Sequence, residues 1–192
     1  MMWARVAGTL AAVYVGLCLS RLPASSLTGR ATVDAEAARV VRVIDGDTYV
    51  MLSDTTTYQL RLLGVDAPEQ GQAFGPQATD SVAHLLPPGR VVLVARAGLD
   101  RYGRMLGAVR LLTAPGATAG RAVPLDSLLV VRGWAWAFDP NRTVAGRAQE
   151  QVAAQQAGRG LWKCGVSAAL SPKLWRSFNS EIKRRYRVGC TW

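Results

Sequence analysis

The stretch Arg39-Val40-Val41-Arg42-Val43-Ile44-Asp45-Gly46-Asp47-Thr48-Tyr49-Val50-Met51-Leu52 sets the fold class. Val40, Val41, Val43 and Ile44 form a β-branched run, Asp45-Gly46-Asp47 stops it, and Tyr49 to Leu52 resumes it. Two such runs about an Asp-Gly turn read as a β-hairpin. Ser53-Asp54 then turns the chain into a third strand, Thr57 to Val65, which Pro68 ends because proline cannot donate to the ladder. Gly75-Pro76 opens a helix whose apolar residues Ala78, Val82, Ala83, Leu85 and Leu86 recur near every 3.6 positions. Pro87-Pro88-Gly89 closes it. Val91 to Ala95 and Met105 to Leu112 are two more strands, with Gly98 to Gly103 as their turn. After a Gly/Ala/Pro loop at 113–123, Leu125 to Val131 suggests a short helix closed by Gly133. Thr143 to Gly158 suggests another, with Thr143 as N-cap. Five short strands, one helix between the third and fourth, and two helices after them predict an α+β fold dominated by β. The architecture expected is a closed five-stranded OB-type barrel with about three helices.

Composition fits one ordinary domain with terminal extensions. Of 192 residues 49% are hydrophobic and 19% charged, which excludes global disorder. The formal charge of +10 is uneven: +2 over residues 1–26, +2 over 27–162 and +6 over 163–192. A basic tail behind a nearly neutral domain fits polyanion binding. It equally fits a solvated helix end lying on a membrane surface. Arg5 precedes an apolar run, Val6 to Leu19, with no charge until Arg21, the pattern of a secretory signal. That run is short for a bilayer span, which needs about 20 residues. An uncleaved anchor through residues 5–21 is the alternative. The expected organisation is therefore a signal peptide or membrane anchor at 1–26, a linker at 27–38, the barrel domain at 39–162 and a basic helical extension at 163–192. The protein is expected to be secreted or extracytoplasmic, or membrane-tethered, and to act as a monomer.

Without the leader, Cys164 and Cys190 are an even pair. They form either a disulfide, worth about 3 kcal/mol by loop entropy, or two free thiols. They do not suffice for a zinc site, because the chain has a single histidine. That residue, His84, falls on the first helix and is expected at the surface.

Three polar clusters interrupt the strands: Asp45 to Thr48, Arg61 to Glu69, and Asp100 to Arg104. Each alone reads as a turn or a surface strand. The first is not an EF-hand, since Tyr49, Val50 and Thr56 stand where a ligand, a glycine and a glutamate are required. Together they bring more. Asp47 and Asp66, from separate strand ends, supply hard oxygen ligands for one cation such as calcium. Glu69, three residues on, sits one water away from that ion. Arg61 and Arg104 are planar, permanently charged donors suited to two oxygens of a phosphate. A carboxylate for water, a cation and two arginines suffice for phosphodiester hydrolysis.

In order and spacing the three clusters, with Gly160-Leu161-Trp162 after the last helix, resemble the staphylococcal nuclease-like family over about residues 39–162. The resemblance implies a calcium-dependent nuclease that hydrolyses DNA and RNA to 3′-phosphorylated products. It implies Asp47, Asp66 and the carbonyl of Ala67 as calcium ligands, and Arg61, Glu69 and Arg104 as catalytic residues. Arg101 and Tyr102 match positions that touch a terminal phosphate of the substrate. The chain departs from the family in lacking the tyrosines that stack on a base. Trp134, Trp136 and Phe138 stand in that region and are expected in the core. The rival reading is a non-catalytic nucleic-acid-binding OB-fold module, against which the complete set of charged residues argues. In the extension, Leu170, Leu174, Trp175, Phe178 and Ile182 share a helical spacing, which predicts one amphipathic helix over 169–187 with a basic outer face.

Overall fold

The computed structural model describes residues 35–113, 122–139 and 144–187. Strand β1 (Glu36–Asp45) pairs antiparallel with β2 (Thr48–Ser53), and β2 with β3 (Thr56–Leu62). Asp45 faces Thr48 across the first turn, so Gly46-Asp47 is a two-residue connection, as the Asp-Gly signal predicts. After the two-residue strand β4 (Val65–Asp66) and helix α1 (Gly75–Leu85), β5 (Val91–Leu99) returns beside β1. β6 (Met105–Leu111) pairs antiparallel with β5 and parallel with β3, Arg61 opposite Leu106. That last pairing closes the five-stranded barrel. Closure leaves no open edge and aligns one face of every strand with the interior.

Val40, Tyr49, Met51, Leu60, Leu62, Val92, Val94, Val109 and Leu111 are buried in one core, alternating with half-buried or exposed neighbours along the strands. Val82 and Leu86 from α1 and Leu125, Leu129 and Val130 from α2 (Leu125–Val131) join it. A second, smaller core gathers Phe74, Ala78, Ala154, Leu161 and Trp162 under α3 (Arg147–Gln156). Trp136, on strand β8 (Trp136–Ala137), meets Trp162 edge-on at 4.4 Å between centroids. β8 pairs with β4, Asp66 opposite Trp136, so this aromatic pair braces the strand that carries Asp66. A short strand β7 (Val123–Pro124) borders β6.

Several boundaries move. β1 begins at Glu36, inside the stretch expected as linker. There Glu36 Oε1 accepts from Arg96 Nε at 2.7 Å and Ala38 packs into the core, extending the ladder against β5. The third strand stops at Leu62, because the Leu63-Gly64 turn, Gly64 at φ +82°, redirects the chain before Val65. α3 starts at Arg147 after Gly146; Thr143, expected as its cap, lies outside the described residues, as do the leader 1–26 and Cys190. Cys164 is disulfide-bonded.

The extension is helical, but not as one helix. α4 (Pro172–Ser177), capped by the Ser171 hydroxyl on the Leu174 amide, is followed by α5 (Ser180–Arg187). Phe178 between them is extended (φ −79°, ψ 142°), and Asn179 Oδ1 accepts from the Ile182 amide to start the second helix. The break destroys the expected apolar stripe. Pro172 and Trp175 are buried, while Leu174 and Ile182 are exposed. The extension docks through Trp175, not through a continuous face.

Candidate active site

A cleft of about 500 Å³ opens where the β1–β2 turn, the end of β3, β4 and the β5–β6 turn meet. Its lining includes all eight residues singled out above: Asp47, Arg61, Asp66, Ala67, Glu69, Arg101, Tyr102 and Arg104. Three elements position them. The β1–β2 turn is tied down by Tyr49, whose buried hydroxyl donates to the Gly46 carbonyl at 2.9 Å. Burial pushes this phenol well above its usual range, so it stays a neutral donor. Gly46 is required because a Cβ there would lie 2.6 Å from the Ala67 Cβ, so only glycine lets the turn approach β4.

That approach makes Asp47 reach across. Its Oδ2 accepts from the Ala67 amide at 2.5 Å, and its Oδ1 from the Thr48 hydroxyl at 3.2 Å. Asp47 and Asp66 are both buried, and Arg61 joins them. One guanidinium nitrogen pairs with Asp47 Oδ1, and the other with Asp66 Oδ1 at 2.7 Å. Burial pushes the Arg61 guanidinium down, while Asp66 and Asp45 pull it back up; it remains a cation. Arg61 therefore occupies the buried role that its place in an apolar strand suggested.

Arg104 is held differently. Its Nε and Nη2 contact Asp100 Oδ2 at 2.8 and 2.7 Å, while Asp100 Oδ1 accepts from the Tyr102 and Arg104 amides at 2.8 and 3.0 Å. Burial raises the Asp100 carboxyl, but these hydrogen bonds outweigh it and hold the group below the usual carboxylate range. Arg101 and Arg104 both lie over the exposed Tyr102 ring, 4.7 and 5.5 Å from its centroid.

Glu69 sits just before α1. Its carbonyl accepts from the Gln72 amide at 2.8 Å, and the Gln72 side chain returns to the Glu69 amide at 3.2 Å. Gln72 Nε2 also donates to the Leu170 carbonyl at 2.6 Å, which ties this loop to the extension.

Besides these eight, four lining residues that were given no site role from the sequence bear on the cleft. Asp45 accepts from the Asp47 amide at 3.1 Å; burial raises its carboxyl against a hydrogen bond from Thr48 and the charge of Arg61. Asp100 looked like a turn residue. Phe138, expected in the core, is 44% exposed and lines the cleft, whereas Trp134 and Trp136 are partly buried against the cores. Arg176 comes from α4 and contacts Asp66 Oδ2 at 2.9 Å and Glu69 Oε1 at 2.7 Å. His84 is exposed on α1 and plays no part here.

The donor set fits a hard divalent cation, since two buried carboxylates, one from the β1–β2 turn and one from β4, converge with only guanidinium groups and backbone or hydroxyl hydrogens as partners. Among the described residues no three His, Cys, Asp or Glu side chains converge as a metal cluster, so further ligands would be carbonyl, water or substrate oxygens.

The family model described as staphylococcal nuclease homologue matches residues 59–164. Curated relatives agree. An uncharacterized endonuclease of Escherichia coli O157:H7 is 35% identical over 138 residues, 72% of this chain and 83% of its own length. A micrococcal nuclease of Shigella flexneri is 41% identical over 100 residues, 52% of this chain and 56% of its own. A thermonuclease of Staphylococcus hyicus is 36% identical over 90 residues, 43% of this chain and 53% of its own.

Proposed function

The chain belongs to the staphylococcal nuclease homologue family and is an enzyme that hydrolyses phosphodiester bonds; from that premise we propose a calcium-dependent nuclease that cleaves DNA and RNA to 3′-phosphorylated products. The observation that carries the calcium reading is the pair of buried carboxylates, Asp47 and Asp66, facing one arginine at the floor of a cleft. Calcium held by Asp47, Asp66 and the Ala67 carbonyl would neutralise one non-bridging phosphate oxygen.

The chain's own groups do the rest. Arg61 and Arg104 present paired N–H donors to the oxygens that gain charge as phosphorus becomes five-coordinate. Their present partners, Asp47 and Asp66 for Arg61 and Asp100 for Arg104, keep both guanidinium planes at the cleft. Glu69 takes a proton from the water attacking in line, and the 5′ oxygen leaves with a proton from solvent, keeping the phosphate on the 3′ side. Arg101 and Tyr102, at the exposed rim, bind a terminal phosphate. We extend the proposal to export, with residues 1–26 as a signal or anchor, and to action as a monomer.

Purified protein with calcium is expected to degrade single- and double-stranded DNA and RNA, and to stop when a chelator is added. DNA left intact over a range of alkaline pH would sink the reading. Full activity in chelator would sink the metal assignment alone. Products carrying 5′-phosphates would overturn the direction of cleavage.

A further inference from the structure

Arg176 is the one cleft residue that lies C-terminal to the matched family span, and its placement is built, not incidental. Trp175, its neighbour, is buried at 4% exposure, Ser171 caps the helix, and the Leu170 carbonyl is tied to Gln72 in the Glu69 loop. The backbone is thus fixed beside the cleft, while the side chain is 49% exposed and ends on Asp66 and Glu69. Burial lowers the Arg176 guanidinium, but its hydrogen bonds with Asp66 and Glu69 prevail and raise it, so its charge is secure.

The charge balance of the cleft gives that cation a purpose. Five carboxylates (Asp45, Asp47, Asp66, Glu69 and Asp100) face four guanidinium groups (Arg61, Arg101, Arg104 and Arg176), which leaves one net negative charge. Bound calcium turns the balance to one net positive charge. Without Arg176 the loaded cleft would be neutral, and a polyanion would feel no net attraction at the point of reaction. Calcium on Asp66 would also stand against the guanidinium that now contacts both Asp66 oxygens, at 3.4 and 2.9 Å, and like charges at such range repel. The nearest oxygen partners of opposite charge are then those of the substrate.

Resting on the nuclease reading above, we propose that Arg176 is a substrate-binding residue, which leaves Asp66 and Glu69 for a phosphate oxygen of the nucleic acid when cation and substrate enter. The exchange is isoelectric for Arg176, one anion replacing another. It also uncovers Glu69 Oε1, now capped at 2.7 Å, so the carboxylate that receives the proton becomes available only with substrate in place.

The test uses the full chain with Arg176→Ala and Arg176→Lys. Arg176→Ala is expected to raise KM for DNA about tenfold, the size of one lost charge-assisted contact, with kcat within a few-fold of wild type. The log–log salt dependence of KM should become shallower by about 0.7–0.9, one phosphate contact fewer. Arg176→Lys keeps the charge and is expected to restore that slope and part of KM. Calcium binding, followed by its shift of the melting temperature, should need no more calcium than wild type. An unchanged KM and salt slope overturns the proposal. With easier calcium binding that result marks a latch on the carboxylates, and with a lower melting temperature alone a structural clasp. If wild type leaves DNA intact in calcium, the nuclease reading has failed instead. The same comparison is then made on binding of a labelled oligodeoxynucleotide by fluorescence anisotropy, where equal affinities sink the role of Arg176.

Discussion

Arg61→Lys is expected to lower turnover by roughly 10²–10³, the usual cost of removing one preorganised transition-state donor, and to leave KM for DNA nearly unchanged. Arg61 bridges two buried carboxylates through two nitrogens of one plane. Lysine keeps the charge but offers a single point, so it cannot grip two oxygens of a phosphate as the geometry at phosphorus changes. The loss therefore falls on the transition state and not on ground-state binding. Arg104→Lys is expected to behave alike, because it breaks the double contact with Asp100 that orients the fork. Steady-state kinetics of both variants check this. Near-normal turnover in either would reduce that arginine to positioning substrate or supporting the fold.

Gly75→Ala is expected to damage stability and turnover together. A Cβ at Gly75 would stand 1.8 Å from the Glu69 carbonyl oxygen and 3.2 Å from the Gln70 Cα. The obstacles are backbone atoms, so no side chain can swing aside, and the 69–72 turn must move. Overpacking of this kind costs about 1–3 kcal/mol. A displacement of about 1 Å at Glu69 costs on the order of 10² in kcat. Gly89→Ala is the contrasting case, because Gly89 has a positive φ (+86°), which Gly75 does not, and open space around it. It should lose about 1 kcal/mol for the backbone alone and keep full turnover. Denaturant midpoints and kcat, measured on both, separate the two effects. Equal turnover in Gly75→Ala and wild type would show that the position of Glu69 does not matter.

What the sequence makes legible follows from how local the physics is. The Asp45-Gly46-Asp47 turn, the β-branched runs and Gly75-Pro76 are decided by near neighbours, and each element appears where its pattern places it. The charged residues of the cleft stand out because a strand arginine between leucines and a pair of strand-end aspartates are costly unless they meet. The rest depends on distant chain. Arg176 is one of several basic residues in a tail of uniform appearance, and only the burial of Trp175 selects it for the cleft. Phe138 resembles its tryptophan neighbours in composition, yet its amide donates to the Gly64 carbonyl at 3.0 Å and its ring faces the cleft, not the second core. Asp100 is an ordinary turn residue until Arg104 folds back on it. The broken extension turns on the extended backbone of Phe178 and the cap from Asn179, against an apolar spacing that suits one continuous helix.

The parallel seam between β3 and β6 sets when the enzyme comes alive during folding. Arg61 lies on one side of it, and Arg104 directly precedes the other strand, with Leu60 opposite Met105 and Arg61 opposite Leu106. The β1–β2–β3 meander and the β5–β6 hairpin form from short-range contacts. The seam must bring together segments separated by all of α1 and β5, and it bears the larger loop-closure cost. The β1–β5 ladder joins the two pieces at their far side, but until the seam zips the two arginines are not held side by side and the cleft between them is incomplete. In refolding, strand signal therefore runs ahead of catalytic activity, and a mutation that slows seam closure delays function without altering the finished site.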